Sequence, residues 1–404
     1  PALEPCDLDI TLVTHNSASW LPGLLQSLVE QDYPLGHIAL YALDNASSDD
    51  TLALLEDFAA GQGRALRDVR VVAAPNAGFG TSQNRAIGLG QAPFVLVTNP
   101  DIEFHHDSIT TVVAQALADT PETGSWELRQ MPYEHPKHYH PVTWETSWSS
   151  HACVLLRRRA LDVVGGYDER IFLYGEDVEL SYRLRAQGWA LRYCPMATVT
   201  HHTYREPDEV KPAQYIGSAV ANAYLRFRHG RLGDAAMGVV LLGALLFRSP
   251  FPGARRQLGR RIVHDLLPRV PALLAERRRA AVPGLAPFRE FNYELTRDGA
   301  FVPAATLSTT PLVSIVTRTM PGRGAFLRQA GVSVLRQTYP NLEWIVVEDG
   351  GDTQRDLVTD MAQATGRAAR YQSLPRKGRS EAGNQGLALA TGQWLMFLDD
   401  DDLL

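Results

Sequence analysis

Phe94 to Phe104 reads FVLVTNPDIEF, an unbroken apolar run that stops at Asn99, Pro100 and Asp101. Phe, Val and Leu without polar alternation predict a strand buried on both faces, as inside a parallel sheet. In open α/β sheets ligands bind beyond the carboxyl ends of the strands, so a carboxylate at that end is placed to meet a phosphate through a divalent cation. The pattern recurs near the other end of the sequence. There QWLMFLDDDDLL carries a second apolar run into Asp399, Asp400, Asp401 and Asp402.

Upstream of Phe94 the chain alternates strand and helix. LDITLVT (Leu8 to Thr14) and IALYALDN (Ile38 to Asn45) predict strands, and VRVVAAP a third. WLPGLLQSLVEQ and SSDDTLALLEDFA carry helical spacing between them, the second opening on Ser and Asp suited to an N-cap. Strands separated by helices predict βαβ units and a doubly wound, mostly parallel sheet. The strand ends then offer polar groups to one crevice: Thr14 and Asn16 after the first, Asp44 at the second, and Asn76, Gly78 and Asn84 in NAGFGTSQNRAIGLG. Each alone is ordinary turn and cap chemistry; their order together points to a nucleotide.

At 404 residues, 45% of them hydrophobic, the chain is long enough for two domains with buried cores. A net charge of -6 makes no whole-chain case for nucleic-acid binding. Cys6, Cys153 and Cys194 are too few and too scattered for a disulfide framework or a zinc site, which points to a reducing, cytoplasmic setting. Beginning at Pro1 and ending just past an acid cluster, the sequence reads as a fragment with trimmed ends.

THNSASWLPGLLQSL, LDNASSDDT, NAGFGTSQNRAIG and LVTNPD together resemble the nucleotide-binding half of glycosyltransferase family 2, inverting enzymes of GT-A type that use nucleotide-diphospho-sugars. NAGFG with NPD is most similar to its rhamnosyltransferase-like branch. The resemblance implies that Asp44 binds the nucleobase, with Thr14, Asn16, Asn76, Gly78, Asn84 and Asn99 around the donor nucleotide. It implies a divalent metal, Mg²⁺ or Mn²⁺, at Asp101. The first acid of the family's Asp-x-Asp motif is Asn99 here, a competent but weaker hard-cation ligand.

The likeness continues through VVGGYDERIF and GEDVELSYRL, and implies that Asp177 is the catalytic base with Glu176 beside it. Read without the family, these acids would only favour a helix N-terminus. Of the two histidines ending LRYCPMATVTHH, His201 is preferred as a metal or diphosphate contact. His135, His138, His140 and His151 in the preceding polar stretch read as surface groups or acceptor contacts.

From about Glu209 to Ala300 helical periodicity takes over. AAMGVVLLGALLF (Ala235 to Phe247), flanked by arginines, is too short to span a bilayer. It reads either as a buried helix between domains, the preferred alternative, or as a basic interfacial segment in peripheral contact with a membrane. From Thr310 the first module's plan repeats. Asp349 matches Asp44, Lys377 is available for phosphate, and Asn384 aligns with Asn84. Asp399 and Asp401 supply a fuller metal motif, at an end expected to be disordered by charge repulsion.

The expected architecture is therefore a GT-A-type domain over 1–208, an α-helical connector over 209–309, and the nucleotide-binding half of a second such domain over 310–404. The expected partners are a nucleotide-diphospho-sugar, first dTDP-rhamnose, and a glycan or lipid-linked glycan acceptor in bacterial surface polysaccharide. A peripheral position on the inner face of the cytoplasmic membrane would suit a lipid-linked acceptor. Two alternatives stand beside it. A dehydrogenase would need a G-x-G-x-x-G turn after the first strand, where THNSASW stands; a scaffold that only binds nucleotide-sugar would need no base.

Overall fold

The computed structural model describes residues 5–132, 139–140, 143–202, 211–248, 250–280 and 309–404; His135 and His138 lie outside them. The chain forms two compact units, Pro1–Tyr139 with Glu145–Ala304, and His140–Trp144 with Ala305–Leu404.

In the first unit the strands are β1 (Leu8–Thr14), β2 (Ile38–Asn45), β3 (Asp68–Ala74), β4 (Phe94–Thr98), β5 (Ile102–Phe104), β6 (Thr123–Met131), β7 (Cys153–Arg157) and β8 (Ala190–His201). They build one eight-stranded sheet in the order β3-β2-β1-β4-β7-β6-β8-β5. The first four run parallel, with Thr14 beside Asp44 and Leu12 beside Thr98, so their carboxyl ends share one edge. This is the predicted α/β half. Beyond it the sheet is mixed: β7 meets β4 and β6 antiparallel, and β5 meets β8 antiparallel.

β1, β2 and β4 are buried along their whole length, because helices cover both faces. Leu8, Ile10, Leu12 and Leu96 enter the core that takes Leu21, Leu24 and Leu28 of α1 (Leu21–Val29) and Val112 of α4 (Ser108–Ala118). On the other face Val95, Val97, Val154 and Leu156 pack with Leu180 and Leu184 of α6 (Glu176–Ala186). Fully burying one such side chain contributes about 1.5–3 kcal/mol. The one acid inside β1, Asp9, is fully buried but held by Arg67 at 2.7 Å and Arg158 at 2.8 Å, and it accepts from the Ala92 amide. Trp148 is buried against Val178 and Leu225 as part of the core.

Helices follow: α7 (Pro212–His229), α8 (Leu232–Phe247), α9 (Ala254–Arg261), a π-turn over Ile262–Leu266, and α10 (Val270–Ala280). The preference for a buried α8 is corrected here. Only Ala235, Gly238, Leu242 and Leu245 form its buried seam. Leu232, Met237, Val239, Val240 and Phe247 are exposed, so an apolar run without polar alternation concealed an uncovered outer face. No helix among the described residues is long and apolar enough to cross a membrane.

The second unit holds β9 (Val313–Thr319), β10 (Leu342–Asp349), β11 (Ala368–Leu374) and β12 (Trp394–Asp399) in a parallel sheet ordered β11-β10-β9-β12. That is the order third, second, first, fourth, the same as β3-β2-β1-β4. Trp344, Ile315, Leu327 and Val346 form its core.

Candidate functional site

The parallel strand ends first gather a hydrogen-bonded polar cluster. Asp44 is buried at the end of β2, and its carboxylate accepts from Thr14 Oγ1 at 3.0 Å and from Ser47 N at 3.0 Å. Asn16, with a left-handed backbone (φ 52°), accepts from Ser48 N at 2.8 Å. Thr14, Asn16 and Asp44 are thus brought together as expected.

Asn76 caps the next turn, accepting from Gly78 N at 3.1 Å. Gly78 (φ 89°) precedes α3 (Phe79–Ile87), and a Cβ there would lie 2.4 Å from the Phe172 carbonyl oxygen. The close approach that this glycine permits is therefore made by the chain's own Phe172, whose oxygen also accepts from Phe79 N at 2.9 Å.

The expected donor contact of Asn84 is corrected. Its amide donates to Tyr167 O at 2.9 Å and accepts from Tyr167 N at 2.8 Å, which braces the Gly-Gly-Tyr-Asp turn and leaves the side chain committed.

A second cluster surrounds a cavity of about 180 Å³ where Asn99, Asp101, Glu176, Asp177 and His201 converge. The antiparallel register places His201 opposite Ile102, and so next to Asp101. His201 Nε2 lies 3.5 Å from Asp101 Oδ2, while its Nδ1 sits 2.7 Å from Gln130 Oε1. Gln130 Oε1 accepts the hydrogen bond from Nδ1, which fixes the ring with its Nε2 towards the carboxylate. Burial of Asp101 opposes its ionisation, yet His201 and Lys211 outweigh this and hold the carboxyl below its ordinary range.

An imidazole nitrogen and a carboxylate oxygen 3.5 Å apart on one cavity wall are both ligand types for a divalent cation. Among the described residues no group of three or more His, Cys, Asp or Glu side chains is arranged for a metal. Asp101, His201 and the Asn99 carbonyl fit a hard divalent cation that takes its other oxygens from a diphosphate and water.

Asp177 and Glu176 enter the cavity from the first turn of α6, behind Tyr174 (φ 67°) and Gly175 (φ 93°). Two consecutive left-handed residues reverse the chain there, and a bulky Tyr in that region stores strain of about 1–3 kcal/mol. Both acids are buried. Beneath them the Tyr167 hydroxyl, 2.6 Å from His151 Nδ1, is pushed well above its usual pKa by burial and then by Glu176 and Asp177. His151 is therefore interior, not a loop-surface group. Lys211 and Gln214, from the start of α7, also line the cavity; nothing in the local sequence marked them.

What fixes α6 is ionic. Glu179, fully buried, meets Arg183 at 2.6 Å, Arg228 at 2.5 Å and His229 at 3.0 Å. Arg228 also meets Asp168 of the Gly-Gly-Tyr-Asp turn and Glu276 of α10. Burial resists the charge on Glu179, but Arg183 and His229 prevail and depress its pKa strongly.

Arg228→Ala should cost about 3–5 kcal/mol, because it uncovers two buried carboxylates. A group with a depressed folded pKa adds stability that is complete above the unfolded value near 4.3 and fades as pH falls below it. Denaturant midpoints from pH 7 to pH 3 should therefore converge for the variant and wild type as pH drops.

In the second unit Asp349 accepts from Lys377 N at 2.7 Å and Gly378 N at 3.0 Å. Asn384 and the Lys377 side chain face solvent. The expectation of a repelling, disordered acid cluster is corrected. Asp399 pairs with Arg318 and Arg379, and Arg323 pairs with Asp400 and Asp401. Three guanidinium groups stand where a cation was expected at Asp399 and Asp401.

The family model described as Glycosyl transferase family 2 matches residues 9–168 and 315–404, together more than half of the chain. The chain belongs to glycosyl transferase family 2. Within this family it is 29% identical over 293 residues to an N-acetylglucosaminyl-diphospho-decaprenol L-rhamnosyltransferase of Mycobacterium tuberculosis, covering 60% of this chain and 91% of that protein. It is 26% identical over 341 residues to the O-antigen biosynthesis protein RfbC of Myxococcus xanthus, covering 80% of this chain and a quarter (25%) of that one. Among solved structures, the mannosyltransferase PcManGT from Pyrobaculum calidifontis, in complex with GDP-Man and Mn²⁺, matches with TM-score 0.46 and 18% identity over 68% of this chain and 84% of its own. The first stretch of the family match runs from β1 through β7 and the second from β9 through β12, so this transferase carries the family pattern twice.

Proposed function

We propose that the first unit, assigned as a catalytic domain over 1–208, transfers a sugar from a nucleotide-diphospho-sugar to a glycan acceptor with inversion. The observation that carries the reading is the convergence of Asp177, Asp101 and His201 on one cavity at the carboxyl edge of the sheet. Asp177 takes the proton from the acceptor hydroxyl as that oxygen attacks the anomeric carbon and the bond to the diphosphate oxygen breaks on the opposite face. Asp101, His201 and Asn99 would hold the Mg²⁺ or Mn²⁺ whose charge offsets that of the departing diphosphate. Lys211 adds a cationic side chain to the same wall. Thr14, Asn16 and Asp44 receive the base.

The likeness to a rhamnosyltransferase makes dTDP-rhamnose the first donor to try and a lipid-linked glycan the first acceptor. A screen of dTDP-, UDP- and GDP-sugars with Mn²⁺, scored by released nucleoside diphosphate with EDTA controls, tests this. One hydrolysed donor supports the reading, and nucleotide binding without turnover of any donor or acceptor would leave a binding module.

The second unit, assigned to 310–404 after a helical connector over 209–309, is read as a nucleotide-binding half. The outer face of α8, where Leu232, Met237, Val239, Val240 and Phe247 are exposed and Arg248 caps the end, fits peripheral contact with an anionic membrane at the cytoplasmic side. Val240→Glu should abolish co-sedimentation with anionic vesicles. Unchanged sedimentation would contradict that contact.

A further inference from the structure

Beside the catalytic cavity lies a second, larger one of about 480 Å³, which the mechanism does not use. Leu173, Ala213 and Ile216 supply apolar wall; Arg260, Arg261 and His264, at the end of α9 and in the π-turn, bring cationic and imidazole groups to it. Arg261 is partly neutralised by Asp265 at 2.6 Å, but among the described residues Arg260 and His264 have no hydrogen-bond or ion-pair partner.

The two cavities are divided by little. Leu173 lines both, and the first turn of α7 sends Lys211 and Gln214 into the catalytic cavity while Pro212, Ala213 and Ile216 face the other.

An apolar cleft with an uncompensated guanidinium matches an amphiphile with an anionic head better than a sugar. A saccharide site would present hydrogen-bonding side chains along its walls, whereas this one concentrates charge on one side. We propose that this cleft binds the isoprenoid-diphosphate end of a lipid-linked acceptor, with Arg260 on the diphosphate and Ala213 and Ile216 against the first isoprene units. The sugar attached to that diphosphate then passes over the first turn of α7 to Asp177. The assignment deepens, and rests on, the reading of a lipid-linked acceptor.

Farnesyl diphosphate is the probe, titrated calorimetrically into the full chain with EDTA present to close the metal route into the catalytic cavity. It should bind, and inorganic pyrophosphate should bind at least about tenfold more weakly, since it lacks the apolar part. Arg260→Glu removes the head contact and Ala213→Trp fills the apolar wall at an exposed position; each should weaken farnesyl diphosphate by about tenfold or more. Neither should alter nucleotide binding with Mn²⁺ or transfer to a lipid-free sugar acceptor.

Absent binding, or binding equal for both variants or for pyrophosphate, would overturn the assignment. If transfer to a lipid-free acceptor persists in that case, only the cleft reading fails. If no acceptor of any kind is glycosylated, the glycosyl-transfer reading fails with it.

Discussion

Replacing Asp177 with Asn is expected to lower the rate of transfer by about 10²–10⁴-fold, the contribution of a positioned general base, while nucleotide affinity stays within about twofold. The reason is geometric. Asp177 opens α6 and faces the cavity that holds Asp101 and His201, whereas Asp44, the residue proposed to receive the base, lies at another strand end. An amide keeps the shape and cannot accept the proton, so the loss should fall on kcat. Glu176, one residue earlier and equally buried, tests the alternative assignment. If Glu176→Gln gave the larger loss and Asp177→Asn kept more than a tenth of the activity, the base would have been misassigned. Circular dichroism of both variants guards against misfolding, and the ion pairs of Glu179 that anchor α6 are kept in each.

The second large effect concerns the leaving group. Asp101→Ala removes the carboxylate that faces His201, and transfer should fall by about 10²–10³-fold, the scale of losing one preorganised charge contact in a site shielded from water. The accompanying signature is a changed metal requirement. Gln130 does not line the cavity, yet it fixes the orientation of His201 through Nδ1. Gln130→Leu should raise the half-saturating Mn²⁺ concentration about 10–100-fold and restore most activity at high Mn²⁺. A variant as active as wild type at low Mn²⁺, or a wild type indifferent to EDTA, would mean that diphosphate departure is assisted by Lys211 without a cation.

How much of this was legible in the sequence depended on the range of the interactions. β1 and β2 run over Leu8–Thr14 and Ile38–Asn45 as predicted, because burial on both faces of a parallel strand leaves an unbroken apolar run whose polar end is local information. The pairing of β5 with β8 was not legible. It joins Ile102 to His201 through antiparallel register that no periodicity encodes, and it decides which of two adjacent histidines reaches Asp101. His202 instead stacks on Trp20 and meets Glu103 at 3.1 Å.

Side-chain roles were the least legible. Asn84 sits in a motif suited to ribose yet is consumed by the backbone of Tyr167, far along the chain. Asp399 and Asp401 looked like a bare metal motif because their arginine partners, Arg318, Arg379 and Arg323, are also distant in sequence. Lys211 and Gln214 belong to a stretch whose composition suggested only a connector, although α7 closes the cavity with them. For α8, composition showed apolarity without showing how narrow the buried seam would be.

The most direct test of the central claim is the stereochemistry of one turnover. The purified chain, Mn²⁺, dTDP-rhamnose and an N-acetylglucosaminyl-diphospho-lipid acceptor are incubated, and the anomeric configuration of the new linkage is read by NMR. A single displacement with Asp177 as base predicts a product whose anomeric centre is opposite to the donor's. A product that retains the donor's configuration would contradict the mechanism, and Asp177 would then have to be reassigned.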